Sequence, residues 1–214
     1  MKNYLIALSV CTLVACSSTP EKKAPTEKPS QKAALNCIYS FDKAATTFNW
    51  LAYKLTDRIG VPGIVDSASV SGMNASSNIQ EVFANAKVSL FIPSLDSKNA
   101  IRDKKIVDIF FGAMTNNEVI TGSVLSVAGN NKKGTGAIQL AINNVEQEVP
   151  FEYELEDTRL KLKYVVDFNN FQAQTSIADL NKACDERHKG KDGKSILWPD
   201  VKITIISKLI KMCD

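Results

Sequence analysis

The residues that could carry out chemistry are few, and the best placed of them is a single histidine. His188 is the only histidine among 214 residues. A site with several histidine ligands is therefore excluded, and any histidine-dependent triad would have to use this residue. Because no nucleophile stands at a recognisable spacing from it, we interpret His188 as a histidine at a helix end that satisfies local carbonyl groups.

The segment that starts at His188 ends like a phosphate-binding P-loop, with the sequence HKGKDGKS. His188 stands where the first glycine of that motif belongs, and the segment leaves a predicted helix for a strand, which reverses the order of a P-loop. Asp192 lacks the ladder of acidic ligands that a divalent cation needs. We therefore predict a solvated turn over 188–195, with no metal, no cofactor and no nucleotide.

The composition is that of one ordinary folded domain, with 44% hydrophobic and 23% charged residues. There are 26 Lys and Arg against 23 Asp and Glu, a formal net charge of +3. The basic residues are scattered, whereas binding to nucleic acid phosphates needs a concentrated positive surface. Nucleic acid is therefore not an expected partner.

The N-terminus has the pattern of a bacterial export signal. After a positively charged start, a mostly apolar run from Tyr4 to Ala15 is shorter than the roughly 20 residues that span a bilayer. The run ends in Leu-Val-Ala-Cys16, which resembles the lipobox, where the cysteine is acylated after cleavage before it. We predict a signal peptide over 1–15 and lipidation of Cys16; an ordinary signal peptide cleaved after Ala15 is the alternative.

The expected location follows from this signal. Ser17, rather than aspartate, follows the cysteine, which by resemblance to lipoprotein sorting rules favours the outer membrane, with the protein facing the periplasm. The next stretch, 17–32, is rich in Ser, Thr, Pro, Lys and Glu and cannot offset the entropy of ordering itself. We predict that 16–36 is a flexible tether holding the domain 37–214 to the membrane through Cys16.

The remaining cysteines bear on stability rather than on catalysis. Cys37, Cys184 and Cys213 would lie in an oxidising compartment, where thiols tend to pair, and one of the three must stay odd. Because Cys37 opens the domain and Cys184 lies on the apolar side of a predicted helix, we predict a Cys37–Cys184 disulfide. Pairing through Cys213 is the alternative. A Cys-x-x-Cys motif is absent from the sequence, which argues against a thiol oxidoreductase.

Apolar and polar residues alternate along most of the domain, which is typical of half-buried strands. Turn-forming residues such as Asn143-Asn144 separate these segments, and short connections favour antiparallel neighbours. The predicted strands include 48–52, 88–92, 138–142, 151–155, 160–164 and 201–205.

Two stretches favour helix instead. Ile106, Ile109, Phe110 and Ala113 recur at helical spacing after Asp96-Ser97, a candidate N-cap. A second helix is predicted over 176–187. Many antiparallel strands with one apolar face, plus two short helices, predict an all-β, up-and-down barrel with an apolar interior; a sandwich with the same strands is the alternative.

Several of these segments together resemble the YceI-like family of bacterial envelope proteins. The stretch Ser94 to Asp103, followed by Ile109-Phe110-Phe111, is similar to that family's Ser-Ile-Asp-Thr, Asn, Arg-Asp and Phe-Phe pattern in order and spacing. The stretches 48–54, 60–63 and 198–203 agree as well. This resemblance, which extends from about Thr46 to the C-terminus, implies an eight-stranded, lipocalin-like barrel that holds a polyisoprenoid or another long amphiphile. The same resemblance implies that the protein forms a homodimer.

The predicted ligand-binding lining consists of the apolar side chains that alternate on the strands, together with the Phe pair of the first helix. Arg102 and Asp103 beside that pair are candidates to orient a polar head group, while a surface ion pair or a local capping contact is the alternative. A solid core made of the same apolar side chains is the alternative to a lining. The lining candidates are Phe48, Trp50, Val88, Leu90, Ile92, Phe110, Phe111, Ile138, Leu140, Phe151, Tyr153, Leu160, Leu162, Tyr164, Ile203 and Ile205.

Taken together, the signal, the alternation and the family pattern predict a lipid-anchored, non-enzymatic protein that carries an isoprenoid such as a quinone. Two other functions use the same residues. One is a small hydrolase or isomerase that acts on a hydrophobic substrate inside the barrel. The other is an envelope interaction protein whose barrel is filled by its own side chains.

Overall fold

A computed structural model of the chain describes residues 36–214. The predicted signal peptide, the predicted lipidation site Cys16 and the tether up to residue 35 lie outside the described residues. Over 36–214 the helices are short, and none has the length and apolar content needed to cross a membrane.

The described part of the chain consists mainly of β-strands. The strands are β1 (Cys37–Ser40), β2 (Thr46–Lys54), β3 (Ile59–Val65), β4 (Ala68–Ser71), β5 (Lys87–Phe91), β6 (Leu95–Asp96), β7 (Val119–Gly129), β8 (Lys133–Ile142), β9 (Val145–Glu156), β10 (Arg159–Asp167), β11 (Asp200–Lys208) and β12 (Ile210–Cys213). The α-helices are α1 (Ile79–Phe83), α2 (Ala100–Lys105), α3 (Gln174–Ala183) and α4 (Asp185–His188). A π-helical turn follows α2 at Ile106–Phe111, and 3-10 turns cover Ile92–Ser94 and Phe168–Phe171.

Ten of these strands form one antiparallel sheet in the order β4-β5-β7-β8-β9-β10-β11-β2-β3-β6, and β1 pairs with β12 in a separate two-stranded sheet. The sheet alternates as its sequence predicts. Along β9, Val149, Phe151, Tyr153 and Leu155 are buried while the residues between them are exposed. Because side chains alternate along a strand, every second side chain of β9 points into the interior and the others point into solvent.

The two ends of this sheet are joined by the chain itself. Only two residues separate β3 from β4, and the 3-10 turn at Ile92–Ser94 separates β5 from β6, so each pair is one strand with a bend. β3 pairs with β6 and β4 with β5. Across the bend, Asp66 N donates to Ser94 O at 3.1 Å and Phe91 N donates to Ser67 O at 3.0 Å. The ten segments therefore form a closed ring of eight strands.

The lipocalin-like antiparallel fold expected from the sequence is thus confirmed, and two of its eight strands are each broken by a bend. Turn chemistry fixes the register of the hairpins. Asn143 and Asn144 connect β8 to β9 with φ values of 53° and 58°. Positive φ at both central residues is the geometry of the tight hairpin turn that matches strand twist, and asparagine tolerates it.

Glycines in the wall let aromatic rings lie flat against the sheet. Gly63 faces Trp50 across the β2–β3 pair, and a Cβ at Gly63 would lie 2.1 Å from Trp50 Cζ2. The indole Nε1 donates to Ile64 O at 3.1 Å, which fixes the ring in this position. Gly136 leaves similar room for the ring of Phe151. These close approaches place both rings directly against the sheet.

One end of the barrel is covered by α2, the π-helical turn and α3. The first predicted helix begins later than expected, because Asn99 rather than Asp96 or Ser97 is its N-cap: the Asn99 side chain accepts from Arg102 N at 3.0 Å. The second predicted helix is divided at Cys184 into α3 and α4. α3 packs on the π-helical turn. The rings of Phe110 and Phe168 meet there edge to face, with centroids 4.9 Å apart.

The predicted Cys37–Cys184 disulfide is wrong. Cys37 is bonded to Cys213, since β1 and β12 pair in a register that places these two residues opposite each other. Cys184 is the free cysteine of the described residues and lies half-buried at the end of α3. The bond therefore ties the first strand of the domain to the last, across a sequence separation of 176 residues.

Candidate functional site

A cavity of about 260 Å³ occupies the end of the barrel that α2 and α3 cover. This volume is slightly below the range of about 300–1,000 Å³ typical of sites for drug-sized ligands, so the cavity suits a slender or partly inserted chain. Most of its lining is aliphatic or aromatic. Ile101 belongs to the lining and is 75% exposed, which places the mouth of the cavity beside α2.

A second, smaller cavity of about 70 Å³ lies in the other half of the barrel, next to β1 and the C-terminal end of β11. Its lining is almost entirely apolar. Tyr164 lines both cavities, so its side chain stands between them. The two spaces follow one another along the interior of the barrel.

The structure places nearly all of the predicted lining residues on one of these cavities. The larger cavity is lined by Trp50, Leu90, Ile92, Phe110, Phe111, Leu140, Tyr164 and Ile203. The smaller cavity is lined by Phe48, Val88, Ile138, Phe151, Leu160, Leu162, Tyr164 and Ile205. Whether these residues touch a ligand stays a prediction.

Tyr153 is the exception, because it lines neither cavity. It is 2% exposed, and its hydroxyl donates to Asn130 O and accepts from Gln80 Nε2, both at 2.8 Å. Its ring meets that of Phe83 edge to face. Tyr153 therefore fastens α1 and the β7–β8 turn to the barrel wall, which is a structural role.

The hydroxyl of Tyr164, unlike that of Tyr153, has no hydrogen bond that influences its pKa. Burial alone raises its pKa well above the usual range, and no hydrogen bond contributes to that shift. A hydroxyl that is shielded from bulk water in this way can hydrogen-bond with a polar atom of a ligand. The phenol of Tyr164 is thus the one polar group among the predicted lining residues that stands between the two cavities.

Basic side chains line the mouth of the larger cavity. Lys54, Arg102, Lys105 and Arg187 all belong to its lining. Lys54 Nζ donates to Arg187 O at 3.1 Å, and Lys105 Nζ donates to Ala183 O at 2.8 Å. Backbone carbonyls therefore hold two of these ammonium groups at the ends of α3 and α4.

The two predicted head-group residues have different positions. Arg102 lines the cavity, and its guanidinium donates to Ser97 Oγ at 2.7 Å and to Ser97 O at 2.6 Å. Asp103 lies outside the lining. Its carboxylate accepts from Ser97 N at 3.0 Å and also from the Ser97 hydroxyl. Asp103 is therefore a local capping contact that fixes the turn before α2, which was the alternative interpretation of that residue.

Trp198 is held rigidly at the same mouth. Its Nε1 donates to Leu55 O at 2.8 Å, and the Arg58 guanidinium lies 4.3 Å from the centre of its ring. Arg58 in turn pairs with Asp200 at 2.5 Å. Since Trp50 also lines the cavity, both tryptophans of the chain face it. We therefore expect their fluorescence to change when a ligand enters the cavity.

His188 lies at the end of α4 and is 8% exposed. Its Nδ1 lies 2.8 Å from Asn181 Oδ1, so a side-chain amide rather than a helix carbonyl is its partner. Burial lowers the pKa of His188 to about 4, and the positive charges of Lys54 and Lys105 contribute, against the opposing effect of Asp185. The imidazole is therefore neutral at pH 7.

The neutral state of His188 predicts a pH dependence of stability. In the unfolded chain its pKa is about 6.5, so the unfolded state binds the proton more strongly than the folded state between about pH 4 and 6.5. The free energy of unfolding should therefore fall by about 1–2 kcal/mol from pH 7 to pH 5. Urea denaturation of the full chain at both pH values measures this. A His188→Gln variant should show a smaller drop, and an equal drop in the variant would contradict the prediction.

The segment 188–195 is a turn, as its sequence predicts. Lys189 and Ser195 form a bridge across it, and Gly193 has a φ of +75°. Asp192 accepts from Thr56 Oγ1 at 2.8 Å, which ties the turn to the end of β2. Within 36–214, no three or more His, Cys, Asp and Glu side chains are grouped as metal ligands.

Sequence reasoning missed several residues at the mouth. Lys54 follows Trp50 and Ala52 at spacings of two on β2, so the alternation itself placed it on the inner face. The family pattern had indicated Arg102, and Lys105 lies one helical turn after it on the same helix. Trp198 belongs to the stretch 198–203 that agrees with the family pattern, but it was not selected as a lining residue. Arg187 carried no such signal, because it lies next to a turn that periodicity does not describe.

Comparison with solved structures identifies proteins of the same fold. A polyisoprenoid binding domain from Saccharophagus degradans, implicated in plant cell wall breakdown, has a TM-score of 0.56 and 14% identity, covering 85% of this chain and 100% of that domain. BcnA of Burkholderia cenocepacia has a TM-score of 0.55 and 13% identity, covering 80% of this chain and 99% of BcnA. Searches of family models and of curated protein sequences find no match. The chain therefore has the fold expected from its resemblance to the YceI-like family.

Proposed function

We propose that this protein binds the hydrocarbon part of a single-chain amphiphile, an isoprenoid such as a quinone, inside its barrel. The observation that carries the proposal is the apolar cavity of about 260 Å³ with an open mouth. Burying an apolar chain there is worth about 25 cal/mol per Å² of surface removed from water. The Saccharophagus domain, which has the same fold, is a polyisoprenoid binding domain, and this supports an isoprenoid as the ligand.

The two cavities suggest how such a chain would lie. Its first part would occupy the larger cavity, and its end would point past Tyr164 toward the smaller one. If the ligand carries an oxygen atom at that depth, the Tyr164 hydroxyl would hydrogen-bond with it; otherwise the hydroxyl would lie beside the hydrocarbon chain. A carrier needs only these contacts, and we propose a role without catalysis.

We further propose that the protein is an outer-membrane lipoprotein that faces the periplasm, anchored through an acylated Cys16. The Cys37–Cys213 bond supports an extracytoplasmic location, since structural disulfides persist in oxidising compartments. A tether would let the cavity mouth approach the membrane that supplies the ligand. Formation of a homodimer stays a prediction from the family resemblance.

Native mass spectrometry of the full chain tests the binding function. After incubation with an isoprenoid alcohol such as farnesol, we expect a complex with one ligand per chain. Titration followed by tryptophan fluorescence should saturate at the same ratio, because Trp50 and Trp198 both line the cavity. Failure to retain any amphiphile, whether from the producing cells or after loading with farnesol or a quinone, would overturn the proposal.

A further inference from the structure

The mouth of the larger cavity carries charge of a single sign. Its charged lining residues are Lys54, Arg102, Lys105 and Arg187, and no aspartate or glutamate of the described chain belongs to that lining. Three of these four basic residues are half-buried and Arg187 is exposed. Lys and Arg side chains are mostly exposed on protein surfaces, so three half-buried cations on one apolar cavity call for an explanation.

These four cations are also unpaired. Within 36–214, the ion pairs involve Arg58, Lys98, Lys104, Lys189 and Lys211, and none involves a basic residue of the cavity mouth. Their contacts are neutral: a backbone carbonyl for Lys54 and for Lys105, and Ser97 for Arg102. Their charge is therefore available to a ligand.

The buried histidine supports the same conclusion from a separate position. Lys54 and Lys105 both lower the pKa of His188, which itself lines the cavity, so both ammonium groups act on one place in the lining. Lys54 also donates to the backbone carbonyl of Arg187, the residue before His188, and Arg187 belongs to the same cavity lining. Arg102 is joined to Lys105 by one turn of α2.

We propose that this cationic mouth, formed by Lys54, Arg102, Lys105 and Arg187, selects amphiphiles whose head group is an anion, a phosphate or a carboxylate. The inference rests on the proposed function, because the hydrocarbon chain of the same molecule fills the cavity. A neutral alcohol or quinone gains from burial of its chain alone. An anionic amphiphile gains in addition from charge-assisted hydrogen bonds at the mouth, which are about twice as strong as neutral ones.

Farnesol and farnesyl phosphate separate the two contributions, because they share one chain and differ in the head group. Binding to the full chain is measured by tryptophan fluorescence and calorimetry at low salt. We expect farnesyl phosphate to bind at least tenfold more tightly than farnesol, and the advantage should shrink in 0.5 M salt. Equal affinity for the two ligands would overturn the anionic head-group proposal and leave the barrel-binding function intact. Failure of both to bind would overturn the binding function itself.

A charge-neutralised variant tests which residues carry the advantage. Lys105→Gln combined with Arg187→Gln should weaken farnesyl phosphate binding about tenfold more than it weakens farnesol binding, so that the difference in affinity between the two ligands largely disappears. Lys104→Gln is the matched control, since Lys104 lies on the same helix but pairs with Asp108 on the exposed face. An advantage that survives in the double variant, or that is lost equally in the control, would overturn the proposal.

The same titrations distinguish an amphiphile head group from free phosphate. Inorganic phosphate alone should compete with farnesyl phosphate only weakly, because it lacks the chain that fills the cavity. If it competes as well as farnesyl phosphate does, the mouth is a phosphate site without an amphiphile, and the proposal is wrong. Thermal unfolding of each variant shows that it is folded, and Arg187→Gln alone replaces the double variant if Lys105 proves necessary for folding.

Discussion

Replacing Ala52 with tryptophan is expected to weaken binding of a long-chain amphiphile about fiftyfold or more. Ala52 lines the larger cavity from β2, between Trp50 and Lys54. An indole at this position would occupy space that the ligand chain needs. Excluding about 100 Å² of apolar contact at about 25 cal/mol per Å² costs the complex roughly 2.5 kcal/mol. Calorimetric titration of the full chain with farnesol measures the change.

The matched control is Leu51→Trp on the same strand. Side chains alternate along a strand, and Leu51 is not part of either cavity lining, so its replacement adds the same indole to the outer face. Farnesol should bind to this variant as it does to the parent chain. If Ala52→Trp binds farnesol normally while remaining folded, the ligand does not enter this cavity, and the proposed site is wrong.

The barrel wall was predictable from sequence because strand alternation is a local signal. Phe151 and Leu160 alternate with charged residues over whole strands, and only an inward orientation satisfies both sets of side chains. The turn residues Asn143 and Asn144 adopt the positive φ values that favour asparagine. Such features need no knowledge of distant contacts, so the predicted segments 138–142, 151–155 and 160–164 each lie within an observed strand, although the observed strands are longer.

The bends and the short terminal strands were not predictable in this way. β4, β6, β1 and β12 have four residues or fewer, too few for alternation to be recognised. The closure of the ring depends on hydrogen bonds between Asp66 and Ser94 and between Ser67 and Phe91, which join segments with no periodicity. Long-range pairing of this kind is a property of the tertiary structure.

In the candidate site, too, the residues with a local sequence signal were predictable, and those brought together only by tertiary contacts were not. Trp50 was identified as a lining residue from strand alternation, and Phe110 and Phe111 from the family pattern; all three line the larger cavity. The cationic mouth was not identified, because its residues come from β2, α2 and α4, and their common charge is visible only when these elements meet. Arg102 was selected together with Asp103, and the structure separates their positions.

The disulfide was mispredicted for a related reason. Cys184 was favoured because it lies on the apolar side of a predicted helix. Cys213 lies next to the C-terminus, in a strand of only four residues. The pairing of β1 with β12 brings Cys37 and Cys213 opposite each other, and this contact between the two ends of the domain leaves no trace in local sequence. Stability measurements can separate the two pairings.

The double variant Cys37→Ser/Cys213→Ser is expected to have a free energy of unfolding lower by about 4–5 kcal/mol. In the chain-entropy model, cross-linking residues 176 apart lowers the conformational entropy of the unfolded chain, and this loss corresponds to a free energy of about 5 kcal/mol. Urea denaturation under non-reducing conditions measures the difference.

Cys184→Ser serves as the control, because Cys184 forms no bond within the described residues and its replacement should change the free energy of unfolding by less than about 1 kcal/mol. A reducing agent should lower the stability of the parent chain and of Cys184→Ser alike, and should leave the double variant unchanged. The opposite pattern, a large loss in Cys184→Ser together with little loss in the double variant, would contradict the Cys37–Cys213 bond. It would also remove the link between β1 and β12 that holds the first and last strands of the domain together.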